Sequence, residues 1–546
     1  MKRIINTVLI LATLSATGFA LNSCQDALDI KQAGELKPEE VFTNVSNLNE
    51  ALNGSVYAVF DPIDEIYFTA VFTDEVKPGS GSGGQEYELH RFFLDPSTQI
   101  VGGGSVSTGS SDGIWLNNYK VINRVNRLLE GAKNITPSSG EVAQYNSIIA
   151  QARAIRAFCY VQLETYFAPN MKDPNGLGVI LIKDVPATDA KLPRAKNQDV
   201  YDLINADLDY ARSILTYSNT AAARYTVGKG FVNALSARFN LYRGNTTLAK
   251  QYAQDVINNS PILDAATGSK LTVANPIVTT TSPAIDLSTG STWRSEFYGT
   301  ASSFNPYRNL WNDSSRGEII FSLNRLPLGA GATIGSRWNT NQSTVSGVPM
   351  WFLGRNLFNL IYTPAGQPDK GDVRRYNYID PTSIIQTNYQ NVDSRNDRLV
   401  IDKYPGKTST ATRNDLKVFR LSEMYFILAE AEVAAGNLAS AQALIQQVRV
   451  ARNYLGTATT PVYTNAQFAY ADILKERRIE LALEGHRYID LKRLATVAGV
   501  TMDRNIKDDF ITLPSLNLPN DSYKYTLPIP VQETSANPNC QQNPGY

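Results

Sequence analysis

"VNALSARFNLYRGN", residues 232–245, carries the pattern that decides the fold. From Val232 to Tyr242 apolar residues recur three and four apart, the period of an amphipathic helix, and Gly244-Asn245 then supplies a stop. A second stretch, "SEMYFILAEAEVAAGN" at 422–437, ends in the same dipeptide. Ala237 stands seven residues before Gly244 and Ala249 five after it; Ala429 and Ala441 hold the same places around Gly436. Small residues at matched positions let two helices approach closely on either side of a tight turn.

This frame predicts paired helices of tetratricopeptide type. Helical periodicity also marks 112–132, 145–167, 198–215, 246–257, 417–437, 438–452 and 468–494. The two copies of the frame lie far apart, so an uninterrupted solenoid is not expected. Between about 260 and 410 the composition turns to Ser, Thr, Asn, Gly, Pro and aromatics, and short runs such as "GEIIFSL" (317–323) and "RLVIDKYP" (398–405) read as isolated strands. Irregular stretches of this length are usually functional.

The first residues, "MKRIINTVLILATLSATGFALNSC", combine a basic start at Lys2 and Arg3 with an apolar stretch from Thr7 to Leu21. That stretch is shorter than the roughly 20 apolar residues a bilayer span needs and contains three threonines and a serine, so it reads as a secretory signal over 1–23. Leu21-Asn22-Ser23-Cys24 resembles a lipobox, although Asn22 departs from the small residue usual there. Cys24 is the expected lipidation site, and two or three acyl chains would hold the protein firmly to a membrane.

With 51 basic and 51 acidic residues and no long basic run, the chain lacks the charge to neutralise phosphates, and no nucleic-acid partner is expected. Cysteine is limited to Cys24, Cys159 and Cys540, which excludes a disulfide framework. His90 and His486 are the only histidines, so a His-rich metal site is excluded and no metal or cofactor is expected.

The chain ends in "YTLPIPVQETSANPNCQQNPGY" (525–546). Its prolines fix backbone angles and its Asn-Pro and Pro-Gly pairs are turn chemistry, so the tail reads as docked. Together with "YKVINRVNRLLE" (119–130), "IAQARAIRAFCYVQLETYF" (149–167), "VNALSARFNLYRGN", "VFRLSEMYFILAEAEVAAGN" (418–437) and "LKERRIELALEGHRYIDLKR" (474–493), this ending resembles the SusD/RagB family of nutrient-binding outer-membrane lipoproteins. The resemblance covers nearly the whole chain in order. It implies a mainly α fold of about four tetratricopeptide-like helix pairs with an irregular ligand-binding portion. It also implies a non-catalytic protein of the cell surface, partnered with a SusC-like TonB-dependent transporter in the outer membrane and delivering oligosaccharides or, in some members, peptides to it. The expected division is 1–23 signal, 24–258 helical, 259–416 irregular and ligand-binding, and 417–546 helical with the docked tail.

Two features bear on chemistry. Glu476, Glu480 and Glu484 lie four apart, and carboxylate pairs serve glycosidases, but the interleaved arginines suit a satisfied ion-pair network better. Four of the five tryptophans, Trp293, Trp311, Trp338 and Trp351, fall in the irregular region. Sugars lay apolar C–H faces on aromatic rings while polar groups take the hydroxyls. Trp293, Trp311 and Trp338, with Tyr87 from the loops near 60–115, are the candidate ligand platform; the competing reading is that each fills a small core. Three functions stay open at this point: a glycan-binding lipoprotein, the same module binding peptides, and a hydrolase.

Overall fold

The computed structural model describes residues 41–79, 87–96, 111–274, 306–326, 334–338, 349–364, 366–380, 383–407, 410–509, 513 and 515–546. The signal segment, Cys24 and Trp293 lie outside the described residues.

The fold is mainly α. After α1 (Val45–Ala51) and α2 (Ile63–Phe72) come the long helices α3 (Ser111–Ala132) and α4 (Val142–Phe167), then α5 (Asn197–Ile214), α6 (Lys229–Tyr242) and α7 (Thr246–Asn259). The short α8 (Arg355–Ile361) belongs to the irregular part. It is followed by α9 (Leu421–Ala434), α10 (Leu438–Arg452), α11 (Ala466–Glu480) and α12 (Arg487–Ala498). Consecutive helices pack on each other in the pairs α3/α4, α4/α5, α6/α7, α9/α10 and α11/α12, with α7 against α9.

The two glycine turns that opened the sequence reading are built alike. Gly244 and Gly436 have φ of +83° and +82°, a left-handed conformation that a side chain disfavours. In each, the residue after glycine donates its N–H back five residues, Asn245 to Asn240 and Asn437 to Glu432, both at 2.8 Å, which closes a Schellman cap. The Asn245 side chain also accepts from the Leu248 N–H and caps α7. Ala237, Ala249, Ala429 and Ala441 are all fully buried where the helices of each pair meet.

Two sequence expectations need correction. The helix expected from 417 begins only at Leu421, because Leu416–Arg420 forms β6, antiparallel to β4 (Ile319–Leu323). All five β6 residues are buried, so no polar alternation separates strand from helix there. The single helix expected over 468–494 is broken between α11 and α12, where Leu483 and Gly485 take φ of +61° and +85°.

The remaining strands are short ribbons: β1 (Val76–Pro78) pairs with β5 (Trp351–Leu353), and β2 (Leu177–Ile180) with β3 (Arg194–Lys196). One hydrophobic core runs from Val45 to Cys540 and takes in residues of both the helical and the irregular parts. The tail is docked on it. The buried Asn543 accepts from Arg194 Nη1 at 2.8 Å and donates to the Phe167 and Leu527 carbonyls at 2.9 and 2.7 Å. Gln542 exchanges two bonds with the Ile529 backbone, and the Tyr546 ring meets Tyr523 edge-on. Cys159 and Cys540 are both buried free thiols.

Candidate functional site

The irregular portion is fixed to the helices by buried charge. Glu480 of α11 accepts from Arg420 and Arg452, both at 2.8 Å, and from Arg374 at 3.1 Å. Glu318, which precedes β4, accepts from the same Arg420 and Arg452 at 2.8 Å. Glu476 meets Arg374 and Arg449, and Glu484, turned inward by the break after α11, meets Arg420 and Lys403. Glu318, Arg374 and Lys403 come from the irregular part, the others from β6 and the C-terminal helices. Burial by itself would raise the Glu480 carboxyl, but Arg452 and Arg420 hold it well below the usual carboxylate range; Arg374 and Arg449 lower Glu476, and Arg420 and Lys403 lower Glu484, in the same way. Carboxylates kept charged by several cations cannot donate a proton to a leaving group, so this triad is a fastener. It does not have the chemistry of a glycosidase acid.

A second junction joins the segment after α2 to the irregular portion. In the β1–β5 ribbon Pro78 faces Trp351, and the Gly79 N–H donates to Met350 O at 2.7 Å. Lys77 Nζ of β1 and Arg355 Nη1 of α8 share the buried Asp397 carboxylate, each at 2.9 Å. Asp74, beside β1, binds Arg487 of α12 through two bonds of 2.8 Å. The two regions expected to form the recognition face, 60–115 and 260–410, therefore do meet, and they do so on the C-terminal helices.

The aromatic candidates are placed less simply. Trp311 is fully buried: Lys403 Nζ lies 4.3 Å from its ring centroid, the Lys417 ammonium and the Arg420 guanidinium 5.3 and 5.2 Å away, and the Tyr404 ring packs edge-on. Trp338 is 1% exposed with its ring against Tyr67, and Tyr87 is buried in a short helix, Tyr87–His90. None of the three offers the open ring face that a stacked sugar needs. A tryptophan within an irregular stretch can be buried in this way when cations and rings from distant residues close over it. Trp351, also buried, donates its indole N–H to Tyr67 Oη at 2.9 Å.

Neither histidine forms a triad. The ring nitrogens of His90 meet the Val71 carbonyl and the Asp509 carboxylate, and burial, reinforced by Arg238, pushes His486 well below its ordinary range. Among the described residues no group of three His, Cys, Asp or Glu side chains is placed to hold a metal ion, and no helix is long and apolar enough to cross a membrane. A partly open cavity of about 220 Å³ lies elsewhere, between the loop after α5, the end of α7 and β4. Several of its polar side chains are engaged with the protein: Tyr217 with Asp255, Arg316 with the Ser218 and Thr220 carbonyls, and Lys270 with three carbonyls at the end of α7.

Comparison with known proteins agrees with this architecture. Residues 331–546, which hold β5, α8 and the whole C-terminal helical part, match the sequence model of the SusD family. Over these residues the chain is a SusD/RagB family protein. SusD-like protein P2 of Formosa agariphila is 24% identical over 555 residues, spanning 96% of this chain and 97% of its own. A SusD superfamily protein from Bacteroides thetaiotaomicron superimposes with a TM-score of 0.68 at 21% identity, covering 92% of this chain and 100% of that one. A putative sugar-binding protein from Bacteroides vulgatus gives 0.66 at 22% identity, with coverage of 92% and 99%. A laminarin-binding SusD-like protein gives 0.62 at 21% identity over 92% of this chain and 100% of that one.

Proposed function

We propose that this protein is a cell-surface lipoprotein, anchored in the outer membrane through Cys24, that captures oligosaccharides and passes them to a SusC-like TonB-dependent transporter without chemical change. The observation that carries this reading is the full-length structural likeness to a laminarin-binding SusD-like protein. The neutralised carboxylates of the α11 network favour binding over hydrolysis. The recognition face is proposed at the β1–β5 junction, with Trp293 kept as a candidate contact.

The test is a binding panel of oligosaccharides and peptides with the purified protein, followed by chromatography of the recovered ligand. Oligosaccharide bound and recovered intact supports the proposal. Binding of peptides alone, or release of shortened sugars, would overturn it.

A further inference from the structure

At the edge of the β1–β5 junction, Arg355 opens α8 and is held on all sides. Its Nη1 donates to Asp397 at 2.9 Å and to the Gln386 carbonyl at 3.3 Å, its Nε to Asn359 at 3.0 Å, and its backbone N–H to the Asp508 carboxylate. On this immobilised guanidinium lies the ring of Tyr389, with its centroid 3.9 Å from Cζ, and a second tyrosine ring, Tyr362, stands 5.8 Å away. Both tyrosines are only half-buried, although the guanidinium beneath them is bonded through Nε and Nη1.

The surroundings of Tyr389 are amides. Asn359 Nδ2 approaches its hydroxyl at 3.4 Å. Side-chain hydrogen bonding, from Gln390 first and then from Asn359 and Asn505, together with the Arg355 charge, holds the phenol below its ordinary range. Asn505 donates to Asn356 at 2.7 Å, and Asn356 to Asp503 at 2.8 Å. Asn356, Asn359 and Asn505 are half-buried and Gln390 is exposed. Of the charges close by, Arg355 is paired with Asp397 and Asp503 with Arg478, while Lys370 donates to the Asn359 and Leu360 carbonyls and Arg375 lies 5.2 Å from the Tyr362 ring centroid. The result is a fixed aromatic ring bordered by neutral donors and acceptors, each amide able to make more bonds than one. A ring that only shielded Arg355 from water would have no use for this border.

We infer that Tyr389, with Asn356, Asn359, Gln390 and Asn505, is a contact surface for an uncharged oligosaccharide, whose apolar C–H face lies on the ring while its hydroxyls exchange hydrogen bonds with the amides. This rests on the glycan-binding reading above and assigns part of that recognition to residues in the described structure. A rigid ring and pre-placed amides lose little freedom when a sugar docks, so more of the contact appears as affinity.

The test uses the full protein on a printed array of neutral and acidic oligosaccharides. The neutral oligosaccharide of strongest signal is then titrated calorimetrically against wild type, Tyr389→Ala, Tyr389→Phe and Asn505→Ala, with melting temperatures in parallel. Tyr389→Ala should weaken binding about tenfold or more. Tyr389→Phe should keep most of the affinity, and Asn505→Ala should lose about threefold to tenfold, all at unchanged melting temperature. Wild-type affinity in both alanine variants would overturn the inference and leave the glycan reading standing, as would losses confined to variants that also melt earlier. Binding of acidic oligosaccharides alone would overturn the inference in the same way. A wild type that binds no oligosaccharide on the array would overturn both.

Discussion

Replacing Asn543 by alanine tests whether the C-terminal tail is part of the fold. Its side chain makes three buried bonds: it accepts from Arg194 Nη1 and donates to the carbonyls of Phe167, the last residue of α4, and Leu527. Arg194 retains Gly178 O, Phe167 O and Gln541 O, so losing Asn543 does not strand its charge. The Leu527 carbonyl loses its side-chain donor, and Phe167 keeps only Arg194. At about 1 kcal/mol for each bond, with some addition for a buried acceptor left unmade, the loss comes to roughly 3–4 kcal/mol. An unfolding entropy of about 2.1 cal/mol/K per residue makes this a fall in Tm of roughly 3–4 °C for a chain of this length, readable by circular dichroism. Asn539, exposed and bonded only through Nδ2 to Lys191 O and its own N–H to Asn537, is the control, and alanine there should cost less than about 0.5 kcal/mol. Asn543→Ala melting with the wild type, or Asn539→Ala melting as early as Asn543→Ala, would refute the claim that the tail is held by these specific bonds.

Glu480→Gln keeps the shape of the hub but leaves three guanidinium groups short of one charge, and should cost about 3–5 kcal/mol in urea denaturation; a change below about 1 kcal/mol would contradict the fastener reading. Glu75 is pushed up to about 8 by burial, reinforced by Asp74, whereas an unfolded glutamate titrates near 4.5. The folded state therefore holds the extra proton between those values, and this contribution to stability falls as pH rises through that window by up to about 1.4 kcal/mol per pH unit. Glu75→Gln should flatten the pH dependence of denaturation between pH 5 and 8, and an unaltered profile would count against a protonated Glu75. Trp311→Ala should destabilise the fold by about 3–5 kcal/mol, with a melt unchanged from wild type as the contrary result. Cys24→Ala should abolish palmitate labelling and release the protein from membranes; a labelled or membrane-retained variant would contradict lipid anchoring at that residue.

The scaffold was legible because its signals are local. Helical period, the Gly-Asn stops and the matched alanines each act within a few residues, and all appear in the structure at Gly244 and Gly436. The tail was legible for the same reason, since proline and glycine dictate backbone shape before any partner is known. The meeting of the two loop regions was legible only in outline. Residues 60–115 and 260–410 do converge, but the state of each aromatic depends on partners far away in sequence. Trp311 is closed over by Lys403, Lys417 and Arg420, and Tyr389 is bordered by amides from α8 and from Asn505. No local pattern encodes those encounters. β6 was missed because a strand buried on both faces loses its alternation, and at the break after α11 positive φ at Leu483 has no sequence mark, although Gly485 two residues on is a glycine stop like Gly244 and Gly436.

The buried charges explain how irregular backbone is held in place. A loop-rich portion has few regular hydrogen bonds of its own, and apolar packing alone is tolerant of small slips. Arg420 and Arg452 reach Glu318 before β4 and Glu480 at the end of α11 with the same guanidinium groups, so a displacement of either segment would leave charge buried without its partner. Lys77 and Arg355 impose the same condition around Asp397, and Arg487 and Arg478 around Asp74. Each carboxylate is thus shared by two or more cations, and around Glu480 and Asp397 those cations come from different parts of the chain. That sharing fixes register as well as proximity. Because Arg355 is one of these cations, the ring of Tyr389 is held by the network that fastens the irregular portion, and its position is set before any ligand arrives.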